Sequence, residues 1–435
     1  MLTTAASPRF GSVTAESRMK GTTQQKPSLR NRLCQWGGDA RERTIMMISE
    51  WAIVVAAWIG RRPQPIGPDG CEIMLTGRFD SINWILAHLG PLAASKECKR
   101  LWMVSTNPVP DLPKVTALYP PKWLVTVAGA TLARLLTFLW AALHKRPHVV
   151  GGFHLMYNGI AAAIAGRLAG ARSMYFCIGG TEVANDGVID QPNCFIRKTK
   201  ANARAQRRRL AVVSAFDTIV TMGTRAARFF QDHGVVSDFH VVSGGIDSMR
   251  FHPAHEPKPI DLILTARLSS EKRIDIFLQA VRLVAGQLPD VRAVIVGDGH
   301  LRAELEQMVA ELGVQSNVTF TGHQNDVENW LGRSKIFVLT SDLEGLALSV
   351  IEAMMSGLPA VVSDVGDLGD LVESGVNGYL VPRRSPQLLA GHLLELLSDG
   401  EKLKVFSHAA HQSAMRYEKA ATTQRWDRIL SSFRT

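Results

Sequence analysis

Residues 335–355 read KIFVLTSDLEGLALSVIEAMM, and local rules divide this stretch into three parts. Lys335 to Thr340 is an apolar run of strand length, 341–345 carries the polar and Gly residues of a turn, and 348–355 is an apolar run of helical length. A strand turning directly into an apolar helix is the repeating unit of a parallel α/β sheet, where ligands bind beyond the carboxyl ends of the strands. The turn places Glu344 in that crevice. Glu352, eight residues on, falls a turn or two into the helix. Read alone, the two carboxylates also fit a capping acid followed by an exposed helix acid.

The same alternation extends outward in both directions. Strands are expected at 72–76, 100–105, 148–152, 173–178 and 218–222, and again at 261–266, 292–296, 317–321, 336–340, 360–363 and 378–381, with helices between. Ser243-Gly244-Gly245-Ile246-Asp247, followed by Phe251-His252-Pro253 and a polar stretch, reads as an interdomain linker. The expected organisation is a disordered tail over 1–44, a Rossmann-like domain over 45–243, a linker over 244–258, a second Rossmann-like domain over 259–416 and a terminal helical segment over 417–435. A chain of 435 residues with 46% hydrophobic residues can bury two such cores. No short-period repeat is present.

A net charge of +10 points to acidic ligands, phosphate groups or an anionic membrane face. Five cysteines without a Cys-x-x-Cys spacing fit a reduced, cytoplasmic setting better than a disulfide scaffold. The first 40 residues carry no signal-peptide pattern. Residues 45–59 are apolar apart from Ser49 and Glu50, but fall short of the roughly 20 residues that span a bilayer. They fit an amphipathic surface helix or a packed one. Residues 124–143 are long enough, yet Arg134 sits near their middle, where a charge costs about 2.5 to 3.5 kcal/mol in a membrane. A helix lying on the protein or on a membrane surface is the expectation there. From Arg197 to Arg209, seven of thirteen residues are basic and none is acidic, which suits either a solvated helix face or anionic lipid head groups. Aromatic residues do not interleave the run, so nucleic acid is not the expected partner.

Arg267 and Lys272 follow the first strand of the second half and suit a diphosphate, although a solvated charged turn has the same composition. Gly297-Asp298-Gly299 ends the next strand and permits close backbone approach. Together with Phe320-Thr321-Gly322, Glu344-Gly345-Leu346 through Glu352-Ala353-Met354, and Gly357-Leu358-Pro359, these motifs stand in the order found in the family 4 retaining glycosyltransferases, which the chain resembles from about residue 71 to 428. The match is strongest from Gly244 onward.

That resemblance implies a GT-B architecture, with a sugar nucleotide on the second domain and the acceptor on the first. It implies that Arg267 and Lys272 neutralise the diphosphate, that Glu344 holds donor-sugar hydroxyls, that Glu352 bonds the ribose, and that the backbone of Gly345, Leu346, Ala347 and Leu348 meets phosphate and sugar. The terminal helix would cross back to the first domain. His154 matches the second His of a strand-ending His-x-His that contacts the donor sugar, with Gly152 in place of the first. Gly77 stands where the family has a glycine loop on the first strand, and Asp370 where it commonly has Glu. No Asp-x-Asp occurs, so metal-independent transfer without a cofactor is expected, from a UDP- or GDP-sugar to a glycan or lipid-linked acceptor at the inner face of the cell membrane. A nucleotide-sugar 2-epimerase and a non-catalytic sugar-nucleotide-binding module share this architecture and are the competing readings.

Overall fold

The computed structural model describes residues 44–45, 47–79, 81–179, 203–254 and 257–434. Most of the expected tail, residues 197–202 of the basic run, Cys34 and Cys194 lie outside them. In the first half, β1 (Cys71–Thr76), β2 (Cys98–Val104), β3 (Val115–Leu118), β4 (Val149–Phe153), β5 (Arg172–Cys177), β6 (Thr218–Thr221) and β7 (Asp238–Val241) form a parallel sheet in the order β3-β2-β1-β4-β5-β6-β7. In the second half, β8 (Ile260–Thr265), β9 (Ala293–Val296), β10 (Val318–Gly322), β11 (Ser334–Leu339), β12 (Ala360–Ser363) and β13 (Gly378–Val381) form another, ordered β10-β9-β8-β11-β12-β13. Eleven of these thirteen strands lie within two residues of their expected positions. β3 and β7 were not expected, because both are four-residue edge strands without a fully buried position and so lack an apolar run.

The order of each sheet reverses once, between β1 and β4 and between β8 and β11. Such a switch point is where adjacent connections leave to opposite faces and open a crevice at the carboxyl ends. Gly77 follows β1, His154 follows β4, Arg267 lies just past β8, and Glu344 lies on the turn after β11. The topology therefore brings the expected residues to the two crevices.

Alternating side chains send the first sheet into two cores. Met74, Val150, Tyr175 and Ile219 meet Ile53, Phe138 and Val212 on one face. Ile73, Leu75 and Leu101 meet Leu89, Leu92 and, from the far end of the chain, Trp426, Ile429 and Leu430 on the other. The helix Lys419–Ser432 thus belongs to the core of the first sheet. Its Asp427 accepts hydrogen bonds from Ser95 Oγ (2.6 Å) and Lys96 N (3.0 Å). Two chain segments cross between domains side by side, with Ile246 N donating to Tyr417 O and Lys419 N donating to Ile246 O, both at 2.9 Å. Gly244 and Gly245 let the segments pass closely there, since a Cβ on Gly244 would lie 2.8 Å from Leu348 of the second domain and a Cβ on Gly245 would lie 2.7 Å from Pro91 of the first.

Two apolar helices cover one face of the first sheet. Met47–Ile59 packs through Ile53 and Ala56, and Lys122–Lys145 packs through Ala133, Phe138, Ala141 and Ala142. By length and composition the second could cross a membrane, but its backbone breaks from helical geometry at Gly129 (φ 75°, ψ 159°) and its inner side is built into the domain core. Its charged residue Arg134 is 3% exposed and donates to Asn158 Oδ1 at 2.8 Å.

Candidate functional site

In the second domain the turn Ser341–Gly345 is braced from three sides. Thr340 Oγ1 donates to the carbonyls of Lys272 and Arg273 (3.1 and 2.9 Å), tying β11 to the turn after β8. Arg273, in the left-handed region with φ 47°, grips Asp275 at 2.6 Å and reaches Asp342 at 3.3 Å. Arg384 holds Asp342 from the other side at 2.6 Å. Burial opposes the charge on Asp342, but the hydrogen bonds from Arg384 and Arg273 outweigh it and hold the carboxyl below its usual range. Behind the turn, a Cβ on Gly366 would lie 2.1 Å from the Glu344 carbonyl, and Asp367 N donates to Gly345 O at 3.0 Å.

Within that frame Lys272 Nζ lies 2.5 Å from Glu344 Oε1, and Ser341 Oγ donates to the same oxygen at 2.5 Å. The two charged side chains are only 18% and 10% exposed. Both bonds go to Oε1, so Oε2 has no donor among the described residues. Arg267 stands apart, exposed and 3.3 Å from Glu271. The structure therefore unites Lys272 with Glu344 and leaves Arg267 at the rim. Leu346 is buried. Ala347 opens the helix Leu348–Met355 without a side-chain cap, so first-turn N–H groups remain to meet an anion.

Glu352 lies on that helix. Burial pushes its carboxyl up to about 7, Arg250 draws it down and Glu328 adds to the rise. Arg250 pairs with Glu328 at 2.8 Å and lies 3.3 Å from Asn83 of the first domain. Gly297, with φ 140°, is used by the chain itself, since a Cβ there would lie 1.9 Å from Ala266 O. The Gly-Asp-Gly segment thus packs against the turn that carries Arg267.

The first-domain crevice is built differently. His154, the residue after β4, has φ 63° and ψ 143°, a conformation that costs a residue with a Cβ on the order of 1–3 kcal/mol. Burial alone lowers its imidazole to about 4, so the ring is neutral at physiological pH. It makes no hydrogen bond within the described residues. Its backbone is fixed by Phe176 O at 3.2 Å and Gly159 N at 2.9 Å. Next to it Asn158 donates to Phe153 O at 2.8 Å while accepting from Arg134. Burial, with a smaller contribution from Arg78, lowers the Arg134 guanidinium to about 10, so it stays charged. Gly152 stands where the family places its first His for a steric reason, because a Cβ there would lie 2.3 Å from Asn158 O. Gly77 makes room for Phe79, whose ring would lie 2.4 Å from a Cβ at that position. Phe79 stacks on Trp84 (4.4 Å between centroids), Trp84 stacks on His88 (3.7 Å), and Phe153 meets Phe79 edge-on.

Sequence reasoning missed Arg273, Asp342 and Arg384 as the brace, Asn158 and Arg134 as the support of His154, and the aromatic cluster. Arg273 adjoins Lys272 and Asp342 lies two residues before Glu344, so adjacency was the available signal. Asp370 turns away to the first domain, where it accepts from Thr224 Oγ1 at 2.6 Å and from Thr224 N. Asp367 accepts from Ala226 N at 3.1 Å, and Arg225 pairs with Asp364 at 2.8 Å, so this loop joins the two domains.

Residues 245–413 match the family described as glycosyl transferases group 1. That match falls on the second domain, less than half of the chain. Around it, the chain is 26% identical over 292 residues to the amylovoran biosynthesis glycosyltransferase AmsK of Erwinia amylovora, covering 63% of this chain and 67% of that protein. It is 26% identical over 214 residues to the poly(glycerol-phosphate) alpha-glucosyltransferase of Bacillus subtilis (strain 168), covering 46% of this chain but only 32% of that longer protein. The fold is GT-B. Anabaena HepE in complex with UDP-glucose superposes with a TM-score of 0.65 at 19% identity, covering 83% of this chain and all of HepE. The matched residues include Arg267, Lys272, Gly297, Glu344 and Glu352, whereas Gly77 and His154 lie outside them.

Proposed function

We propose that the chain is a retaining glycosyltransferase that moves a sugar from a UDP-sugar to a glycan or lipid-linked acceptor in polysaccharide synthesis. The observation that carries this reading is the Lys272–Glu344 pair at the switch point of the second sheet, with one carboxylate oxygen left for a ligand. A diphosphate draws Lys272 to itself, and the uncapped helix start adds N–H groups to the same anion. Glu344, held by Ser341, then accepts hydroxyls of the donor sugar. Glu352 receives the ribose. His154, neutral and held by its backbone, faces the reaction as a hydrogen-bonding group and carries no charge of its own.

In the reaction the acceptor oxygen forms a bond to the anomeric carbon on the face from which the diphosphate oxygen departs. The acceptor proton passes to that departing phosphate oxygen, and no enzyme nucleophile is required. Charge on the leaving group is met by Lys272 and Arg267, so transfer proceeds without a divalent metal. UDP is preferred over GDP in this reading because HepE, which shares the fold, was solved with UDP-glucose. Proton NMR of the product formed from a UDP-α-sugar should show an α linkage made equally well in EDTA. Glu344→Ala should lower turnover at least about a hundredfold, the scale of one lost transition-state contact in a preorganised site. A β linkage, a 2-epimerised sugar nucleotide, or near-normal turnover by Glu344→Ala would overturn the reading.

A further inference from the structure

The helices Met47–Ile59 and Lys122–Lys145 expose on their outward sides the residues that soluble domains bury. In the first, Ile53 and Ala56 face the core while Trp51, Val54 and Trp58 face out, with Trp58 93% exposed. In the second, Ala133, Phe138 and Ala141 face the core while Trp123, Val127 and Trp140 face out. Both inner sides enter the same core cluster against the same face of the first sheet, so the two outward sides form one flank of the domain. Arg61 Nη1 reaches Leu143 O at 3.4 Å and joins the two helix ends. Such contiguous apolar surface marks an interaction site.

The surrounding charge selects the occupant. Arg61, Arg62, Lys122 and Lys145 stand at or just beyond the ends of the two helices and are exposed. No Asp or Glu occurs from residue 112 to 181. The acid of the first helix, Glu50, is paired with Arg208 of the basic helix Ala203–Val213 at 3.7 Å. Tryptophans near both ends of the longer helix place rings with an apolar body and a polar N–H where hydrocarbon gives way to head groups. A second copy of the chain docked by the same flank would set basic border against basic border, which disfavours a dimer there.

We propose that this flank is a docking surface for an anionic lipid bilayer, with the outward sides of both helices inserted at head-group depth and neither helix spanning. The inner side of the longer helix, including buried Arg134, stays in the domain core. This goes beyond the transfer reading, since it holds whether or not the chain transfers sugar.

The test is flotation of the full chain with phosphatidylcholine vesicles, with and without phosphatidylglycerol, alongside size-exclusion chromatography. The wild type should float with anionic vesicles, less so at high salt, and elute as a monomer. Trp58→Glu/Trp140→Glu, which changes two exposed rings, should lower the bound fraction about tenfold or more with unchanged UDP-induced thermal stabilisation. Equal flotation of that variant, equal flotation on phosphatidylcholine alone, or a wild-type dimer that the substitutions dissociate would each overturn the proposal. Loss of UDP stabilisation in wild type that still floats would instead count against the transfer reading alone.

Discussion

The two crevices face each other but are held by opposite physics. In the second domain, charge holds the site: Arg273 and Arg384 clamp Asp342, and Lys272 meets Glu344. In the first domain, burial holds it: His154 is neutral, Phe79, Trp84 and Phe153 pack on one another and on His88, and one buried guanidinium reaches one amide. A site that binds a diphosphate needs cations that can change partners. A site that receives an acceptor hydroxyl near a reacting carbon needs a dry, rigid wall. In the function proposed above, the donor belongs to the second crevice and the reacting end of the acceptor to the first.

The largest effect on that contrast should come from Asn158→Ala. It leaves Arg134 buried without its acceptor and frees the Phe153 carbonyl, so stability should fall by about 3 kcal/mol, read by urea unfolding. Arg134→Met added to it should recover part of the loss, because the stranded charge is gone. If Asn158→Ala unfolds like wild type, the buried support of His154 is not as described.

A smaller effect, of opposite sign, is expected at His154 itself. His154→Gly relieves the φ 63° conformation, and after the extra backbone freedom of Gly in the unfolded chain the net change should be on the order of 1 kcal/mol in favour of folding. Transfer should be lost in the same variant. Strain without function would predict a stable and active variant instead.

The smallest effect is a pH dependence in the second domain. The folded-state carboxyl of Glu352 sits at about 7 against an ordinary value of 4.5, so the folded chain holds its proton more tightly than the unfolded chain. Its contribution to stability therefore falls as pH rises from about 4.5 through 7 and stays low above that. Glu352→Gln should match wild type at pH 4.5 and exceed it at pH 8 by on the order of 1 kcal/mol, the full shift being discounted because the side chain remains partly exposed. Equal thermal midpoints of the two proteins at both pH values would show that Glu352 is not strained by burial.

The contrast also explains what could be read in advance. The second-domain crevice was legible because its residues are local in sequence: the strand, turn and helix around Glu344 form one continuous stretch, and Lys272 lies seven residues after β8. Parallel strands buried on both faces gave continuous apolar runs, and only the short edges β3 and β7 escaped. The first-domain crevice was opaque because its residues meet only in space. Arg134 read as an awkward charge in an apolar helix until the fold set it against Asn158, 24 positions away. Gly152 and Gly77 read as departures from a motif, whereas each is fixed by what would collide with a side chain, Asn158 O and the Phe79 ring. Asp370 was legible as an acid after a strand but not as a contact to Thr224, which lies 146 residues earlier.

The central claim is that the second crevice is a UDP-sugar site in which Lys272 leaves Glu344 for the diphosphate. Isothermal calorimetry of UDP-glucose and UDP with the wild type and with Lys272→Met tests it directly. The account predicts that both ligands bind the wild type and that Lys272→Met loses about tenfold or more in affinity for both, the scale of one charge-assisted hydrogen bond. Equal affinity of the two proteins, or no binding of either ligand to the wild type, would contradict it.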